Sequence, residues 1–295
     1  MTDRLAALCL LLMTALPSKP AGAFAPIGVT VREPDGMARH HWPLTVSVPF
    51  GRGALRHGAA IKVIDERGAA AAVQTRPLAI WPDGSVRWLL IDAQVDLEPH
   101  GERRLRVEPG RSSAPTAAVH VTEGKQGILI DTGAIRFNVP KQRFAIVDDL
   151  RVRGSDGVVG GPLGATLVAD DHTMRAQPPS RITLSEKGPL RAAVELQGTY
   201  GDGFDYAVRI EAYAGQPVVR VEHTLINRHP TPYVDLARLG LDLPLSAVRP
   251  SSYRYGIEGK PAAAGALGDA GLRLYQSDNE SYAVDGKTGA GKLAG

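Results

Sequence analysis

Cysteine is nearly absent from this chain: the one such residue among 295, Cys9, lies in an N-terminal apolar stretch. The remainder can form no disulfide, paired-cysteine zinc site or thiol nucleophile, so its core alone must hold it together. Aromatic residues are scarce, at 5%. Beyond the N-terminal stretch no apolar run reaches the ~18 residues a membrane helix needs. The formal charge of +3 is spread without a Lys/Arg block. A phosphate-tracking surface concentrates its basic residues, so no nucleic-acid partner is expected. The zincin H-E-x-x-H and the serine elbow G-x-S-x-G are both missing, and no sustained helical periodicity appears.

Glycine and proline are plentiful, at 33 and 22 residues, and Val, Thr, Leu and Arg recur in short alternating runs. That pattern predicts an all-β chain of many strands joined by turns. The first 23 residues read as a secretory signal. Arg4 supplies the basic start, Leu5 to Leu16 the apolar segment, and Ala21-Gly22-Ala23 a cleavage site. The expected location is secreted or periplasmic, with cleavage near Ala23 and no membrane anchor afterwards.

From Phe24 to Pro109, six or seven short strands are predicted, enough for a small barrel. Residues 110–117 fall in a Pro/Ser/Gly-rich stretch and read as a linker. Longer strands with one apolar face then fill 118–255, which predicts an antiparallel β-sandwich. Within it, 234–239 is the one place where some helix is expected. Residues 256–295 form a Gly/Ala-rich end carrying two strand-like runs, Leu272 to Ser277 and Ser281 to Asp285. They read as an incomplete end of the sandwich.

The stretch Ile80-Trp-Pro-Asp-Gly-Ser-Val-Arg-Trp88 carries the most local information. Pro82-Asp83-Gly84 predicts a type I turn closing on a glycine bulge, with Trp81 opposite Ser85. Alternation beyond it puts Val86, Trp88 and Leu90 on one face and Leu89, Ile91, Ala93 and Val95 on the other. Trp81 and Trp88, joined by Trp42, can be read as a sugar-stacking platform or as plugs for a barrel end.

A second hairpin can be read in register. Folding about Gly215–Gln216 pairs Arg209 with Glu222, Glu211 with Arg220, Val208 with His223 and Ile210 with Val221. Opposite charges across a sheet contribute ~0.2–1 kcal/mol each. The charged face is then a solvated ladder that fixes register, or else Arg209 and Arg220 bind the carboxylates of an acidic sugar. His223 falls on the apolar phase. It is a buried histidine satisfied by a neighbour or, with Tyr213, Tyr206 and Arg209, a base-bearing site for β-elimination.

Other clusters reduce to ordinary chemistry. Asp170-Asp171-His172 and Asp148-Asp149 have oxygen ligands that would suit Ca²⁺ but read better as turns, and no metal or cofactor is expected. Gly286 to Lys292 nearly spells a phosphate loop, but Leu293 stands where Ser or Thr is required. Asn279-Glu280-Ser281 is an acceptor triplet for N-glycosylation.

Several motifs occur together and in order: Trp42-Pro43 with Val46 to Phe50, the Gln74 strand and Trp81 to Trp88. Asp131-Thr-Gly-Ala-Ile-Arg-Phe137 and Tyr213-Ala-Gly215 leading into Val219 to Thr224 complete the set. Together they resemble the exo-rhamnogalacturonan lyase family. The resemblance implies a RIFT-type barrel up to about Val107 and a central β-sandwich from about Ala118. It also implies a pectic, uronate-containing substrate for the complete architecture. In that family the lyase chemistry lies chiefly in a C-terminal α/α barrel, for which this sequence shows no helical pattern. The expectation is an exported accessory fragment that contacts pectic polysaccharide or packs on a missing C-terminal catalytic domain. A self-sufficient lyase centred on His223 and a non-catalytic carbohydrate-binding protein are the alternatives.

Overall fold

The computed structural model describes residues 24–154, 161–169, 171–230 and 233–244, and the stretches 252–257, 260–268, 272–276, 281–284, 287–290 and 293–294. Residues 1–23, where the secretory signal is expected, Asp170 and the Asn279-Glu280 part of the acceptor triplet lie outside these residues. Those described are all strand, turn and loop, without helix.

The first unit contains β1 (Ile27–Arg32), β2 (Arg39–Pro49), β3 (Ile61–Asp65), β4 (Ala70–Ala71), β5 (Val73–Ile80), β6 (Val86–Leu97) and β7 (Glu102–Pro109). Two sheets, ordered β1-β7-β3-β4 and β2-β6-β5, enclose one core. Val48, Phe50, Leu55, Ile61, Val63, Val86, Leu89, Ile91, Leu105 and Val107 build it.

The second unit contains β8 (His120–Glu123), β9 (Gly127–Asp131), β10 (Ile135–Pro140), β11 (Asp148–Val152), β12 (Gly164–Ala169), β13 (His172–Arg175), β14 (Arg181–Lys187), β15 (Arg191–Gly201), β16 (Phe204–Tyr213), β17 (Val219–Asn227) and β18 (Leu236–Asp242). Sheets β11-β10-β9-β8 and β13-β12-β18 contribute to a second core with the longer sheet β14-β15-β16-β17. Along β16 the even residues Phe204, Tyr206, Val208, Ile210 and Ala212 pack into that core. The odd residues Asp205, Ala207, Arg209, Glu211 and Tyr213 therefore face the other way. Two separate apolar clusters make two domains, a barrel and a sandwich.

Farther on, β19 (Ser252–Ile257), β20 (Lys260–Ala266), β21 (Leu274–Gln276), β22 (Ser281–Val284), β23 (Lys287–Ala290) and β24 (Leu293–Ala294) pair as two small sheets. The helix expected at 234–239 is absent. That segment enters β18, which pairs antiparallel with β12, so sheet pairing overrides the weak local preference.

The hairpin at Trp81 forms as its turn residues dictate. Gly84 N–H donates to the Trp81 carbonyl (2.9 Å), Trp81 N–H donates to the Ser85 carbonyl (2.8 Å), and Gly84 takes φ +81°. The strand after it departs from plain alternation. Ile80 pairs with Val86 but Ala79 pairs with Trp88, which leaves Arg87 as an extra residue. A bulge of this kind reverses the side-chain phase. Val86 and Leu89 are consequently both buried, at 1% and 4% exposure, while Trp88 is 38% exposed.

Candidate functional site

The densest polar chemistry lies where barrel meets sandwich. Arg191, at the head of β15, is buried and meets three carboxylates: Glu211 Oε1 at 2.6 Å, Asp92 Oδ1 at 2.9 Å and Glu186 Oε1 at 3.3 Å. Asp92 belongs to the barrel, the two glutamates to the sandwich. Its contact with Arg191 Nε is a close charge pair off the hydrogen-bond axis, because that N–H has no aligned acceptor. Burial opposes the Arg191 charge, but Asp92, Glu211 and Glu186 outweigh it and hold its pKa above the ordinary arginine value.

Gln74 of β5 completes the junction. Its amide oxygen accepts from the N–H groups of Leu190 (2.9 Å) and Arg191 (3.0 Å). Its amide nitrogen donates to Glu186 Oε2 (3.3 Å) and the Arg191 carbonyl (3.2 Å). Arg76 also pairs with Glu186, and Thr45 Oγ1 donates to Asp92 Oδ1 (2.6 Å). Gln94 donates to the Ala214 carbonyl (2.7 Å). Each side chain of this buried set holds at least one partner, and Arg191 Nε–H alone lacks an aligned acceptor, so the network orders the junction without being fully satisfied.

The β16–β17 register pairs Arg209 with Glu222, Glu211 with Arg220, Val208 with His223 and Ile210 with Val221, as the sequence predicts. The charged face is not uniformly solvated, however. Glu211 is buried against the junction, and Arg209 reaches along and across the sheet to Glu211 and Glu195 instead of Glu222. Arg220 pairs with Glu222 on its own strand and approaches Glu211 at 3.8 Å. Both arginines nominated for an acidic sugar thus already hold carboxylates of the protein.

Tyr213 is buried, donates its hydroxyl to Glu211 Oε2 (2.8 Å), and has its pKa pushed up by burial and by that carboxylate. His223 is half-buried, and its Nε2 shares a hydrogen bond with the Tyr200 hydroxyl (2.8 Å). Burial lowers the His223 pKa and pushes that of Tyr200 up to about 12. Tyr206 donates its hydroxyl to the Gln177 carbonyl (2.8 Å). The histidine's cross-strand partner, Val208, lies on the core face, whereas Tyr213 lies on the opposite face five residues along β16. At ~3.3 Å per residue that is ~16 Å away. The structure does not bring His223 and Tyr213 together.

At the hairpin, Trp81 is half-buried: its indole N–H donates to the Phe50 carbonyl (3.0 Å), and the Arg87 guanidinium lies 4.8 Å above its ring. Trp88 exposes part of its ring, and Trp42 is half-buried under Arg39 at 4.5 Å. Asp83 accepts from Ser85 Oγ (2.6 Å) and Ser85 N–H (3.0 Å), which brings its pKa below the usual carboxylate value. Among the described residues no group of three metal-ligating side chains converges.

The junction residues Gln74, Asp92, Glu186 and Arg191 were not singled out from the sequence as a site. Their signal is a lone polar residue in an apolar strand, such as Asp92 between Leu89-Leu90-Ile91 and Ala93.

A curated protein of Bacillus subtilis (strain 168), described only as uncharacterized protein YetA, is 25% identical over 201 residues. The match covers 63% of this chain and 23% of YetA, so the chain spans under a quarter of that relative's length. A solved structure described as a protein in glycosyl hydrolase family 38 from Enterococcus faecalis shares the fold, with a TM-score of 0.53 at 10% identity. It aligns with 92% of this chain and 41% of its own. Residues 30–108 match the PcRGLX-like N-terminal RIFT barrel domain, and residues 119–253 match the PcRGLX-like protein central beta sandwich domain. The chain therefore belongs to the PcRGLX-like, rhamnogalacturonan-lyase-like family and carries that family's RIFT barrel and central β-sandwich.

Proposed function

We propose that the barrel and sandwich act as one rigid, non-catalytic accessory unit of an exported rhamnogalacturonan-lyase-like protein. The unit contacts pectic polysaccharide, and bond cleavage belongs to a separate catalytic region of the α/α-barrel type. The observation that carries this reading is how the sandwich's reactive side chains are employed. β-Elimination needs a free base beside the uronate C5 proton and a cation free to neutralise the carboxylate. Arg191, Arg209 and Arg220 are all paired with protein carboxylates. Tyr213 is buried against Glu211, and His223 projects from the other face.

Two surfaces suit an accessory role. The partly exposed Trp88 offers an indole face for sugar stacking. Strand β18 leaves Leu236, Leu239 and Leu241 more than two-fifths exposed, which suits packing against another domain.

Sedimentation with insoluble rhamnogalacturonan tests the contact. The wild type is expected to co-sediment and Trp88→Ala to lose most of that binding while keeping its circular dichroism spectrum. Failure of the wild type to bind any pectic glycan would remove the reading.

A further inference from the structure

The barrel has an open side between β3 and the β5–β6 pair, where a cavity of about 500 Å³ is found. Ligand pockets typically occupy ~300–1,000 Å³ and often lie at barrel mouths. Its floor is aliphatic and buried: Leu55, Ile61, Val86 and Leu89 are all at most 4% exposed. Thr75, Pro77 and Ser112 line it too. Its basic lining comes from two separate segments. Arg56 and His57 belong to the loop after β2, and Arg111 follows β7.

The loop is fixed in place. Ala59 N–H donates to the Arg56 carbonyl (3.1 Å), Gly110 N–H donates to the Ala60 carbonyl (3.1 Å), and Arg56 bridges to Ser85.

The charge pattern of this cavity differs from that of four others on the molecule. Four other cavities each include at least one aspartate: Asp65 and Asp96, Asp205, Asp242, or Asp148 and Asp149. The barrel-side cavity has no acid in its lining, and among the described residues Arg56 and Arg111 form no ion pair. Arginines that would accept a ligand carboxylate must be free of protein carboxylates, as Arg209 and Arg220 are not. Guanidinium groups bind carboxylates through charge-assisted, often bidentate hydrogen bonds. The aliphatic floor suits the C–H face of a pyranose ring, and Thr75 and Ser112 supply hydroxyl partners.

We propose that this cavity is a binding subsite for a uronate residue of an acidic oligosaccharide, with Arg56 and Arg111 taking the carboxylate. The proposal rests on the pectic reading above and names the part of the glycan that is recognised and where.

Calorimetric titration of the whole protein with trigalacturonate, with neutral galactotriose and with hexaglutamate tests it. Trigalacturonate is expected to bind, more weakly as salt rises, while the other two give no heat. The double variant Arg56→Gln/Arg111→Gln, whose substituted side chains are exposed, is expected to bind at least about tenfold more weakly with an unchanged melting temperature. Undiminished affinity in the double variant overturns the subsite, as does equal binding of galactotriose or hexaglutamate, or no binding of trigalacturonate. If Trp88-dependent sedimentation with rhamnogalacturonan persists in such a case, the subsite alone has failed and the accessory function stands.

Discussion

Arg191 of the sandwich and Asp92 of the barrel face each other across the domain junction, 2.9 Å apart, with side chains 3% and 6% exposed. Gln74 binds the same backbone segment from the barrel side, so charge and hydrogen bonding fix one relative orientation of the two domains. Buried ion pairs contribute little net stability but are costly to break from one side.

Replacing Arg191 tests that arrangement. Arg191→Met leaves three carboxylates buried around an apolar side chain, and an expected loss of ~3–5 kcal/mol follows from the uncompensated charge. Arg191→Lys restores the charge but not the fork that reaches Asp92, Glu186 and Glu211 together, so partial rescue is expected. Urea unfolding of both variants provides the comparison.

Glu211 and Asp92 respond oppositely to acid. Burial would raise the Glu211 pKa, but hydrogen bonds from Tyr213 and Arg209 and the Arg191 charge bring it below the ordinary value. Its stabilisation is complete above the unfolded carboxylate pKa of ~4.3 and is lost as pH falls through the folded value. For Asp92 burial prevails over Thr45 and Arg191, and the folded pKa is raised. Its contribution is complete below the unfolded pKa and is lost as pH rises through the folded one. Near neutral pH, Glu211→Gln is therefore expected to destabilise by about 2 kcal/mol and Asp92→Asn by less. Chemical denaturation at a series of pH values should show the gap between the two variants closing in acid.

Glu33 organises the loop between β1 and β2. Its carboxylate accepts from the N–H groups of Gly36 (2.7 Å), Met37 (3.1 Å), Asp35 (3.2 Å) and His100 (3.2 Å). Burial opposes its charge, yet these bonds bring its pKa below the usual value. Glu33→Ala is expected to cost ~2–3 kcal/mol, since several amides then lose a charged acceptor. Hydrogen exchange should quicken at Gly36, Met37 and His100 first.

Two glycines separate backbone strain from crowding. At Gly84 an added Cβ meets nothing within 4 Å, so Gly84→Ala carries only the left-handed penalty of ~1–2 kcal/mol. At Gly198 a Cβ would lie 2.6 Å from Tyr206 Cζ, and that ring is held by the bond from its hydroxyl to Gln177. Gly198→Ala should therefore be partly relieved by Tyr206→Phe, a non-additive pair in a double-mutant cycle. Gly84→Ala combined with Tyr206→Phe should simply add.

The barrel and sandwich were legible because turn chemistry and alternation are local. Pro82-Asp83-Gly84 prescribes its own hairpin, and opposite charges at Arg209/Glu222 and Glu211/Arg220 mark a register that the β16–β17 pair adopts. The reversed phase after Val86 was not legible, because the bulge at Arg87 arises from how β5 and β6 pair. The junction was hidden for the same reason: Gln74 and Arg191 lie 117 residues apart, and no local pattern predicts that they meet. Arg209 looked available to a sugar for want of its third neighbour, Glu195, which only β15 brings alongside.

Turnover is the most direct test of the claim that these two domains do no bond cleavage. Purified protein incubated with rhamnogalacturonan, with ultraviolet absorbance followed for an unsaturated uronate, is expected to give a flat trace that His223→Ala leaves unchanged. A rising signal that His223→Ala or Tyr213→Phe abolishes would contradict the account and place a working lyase site within the sandwich.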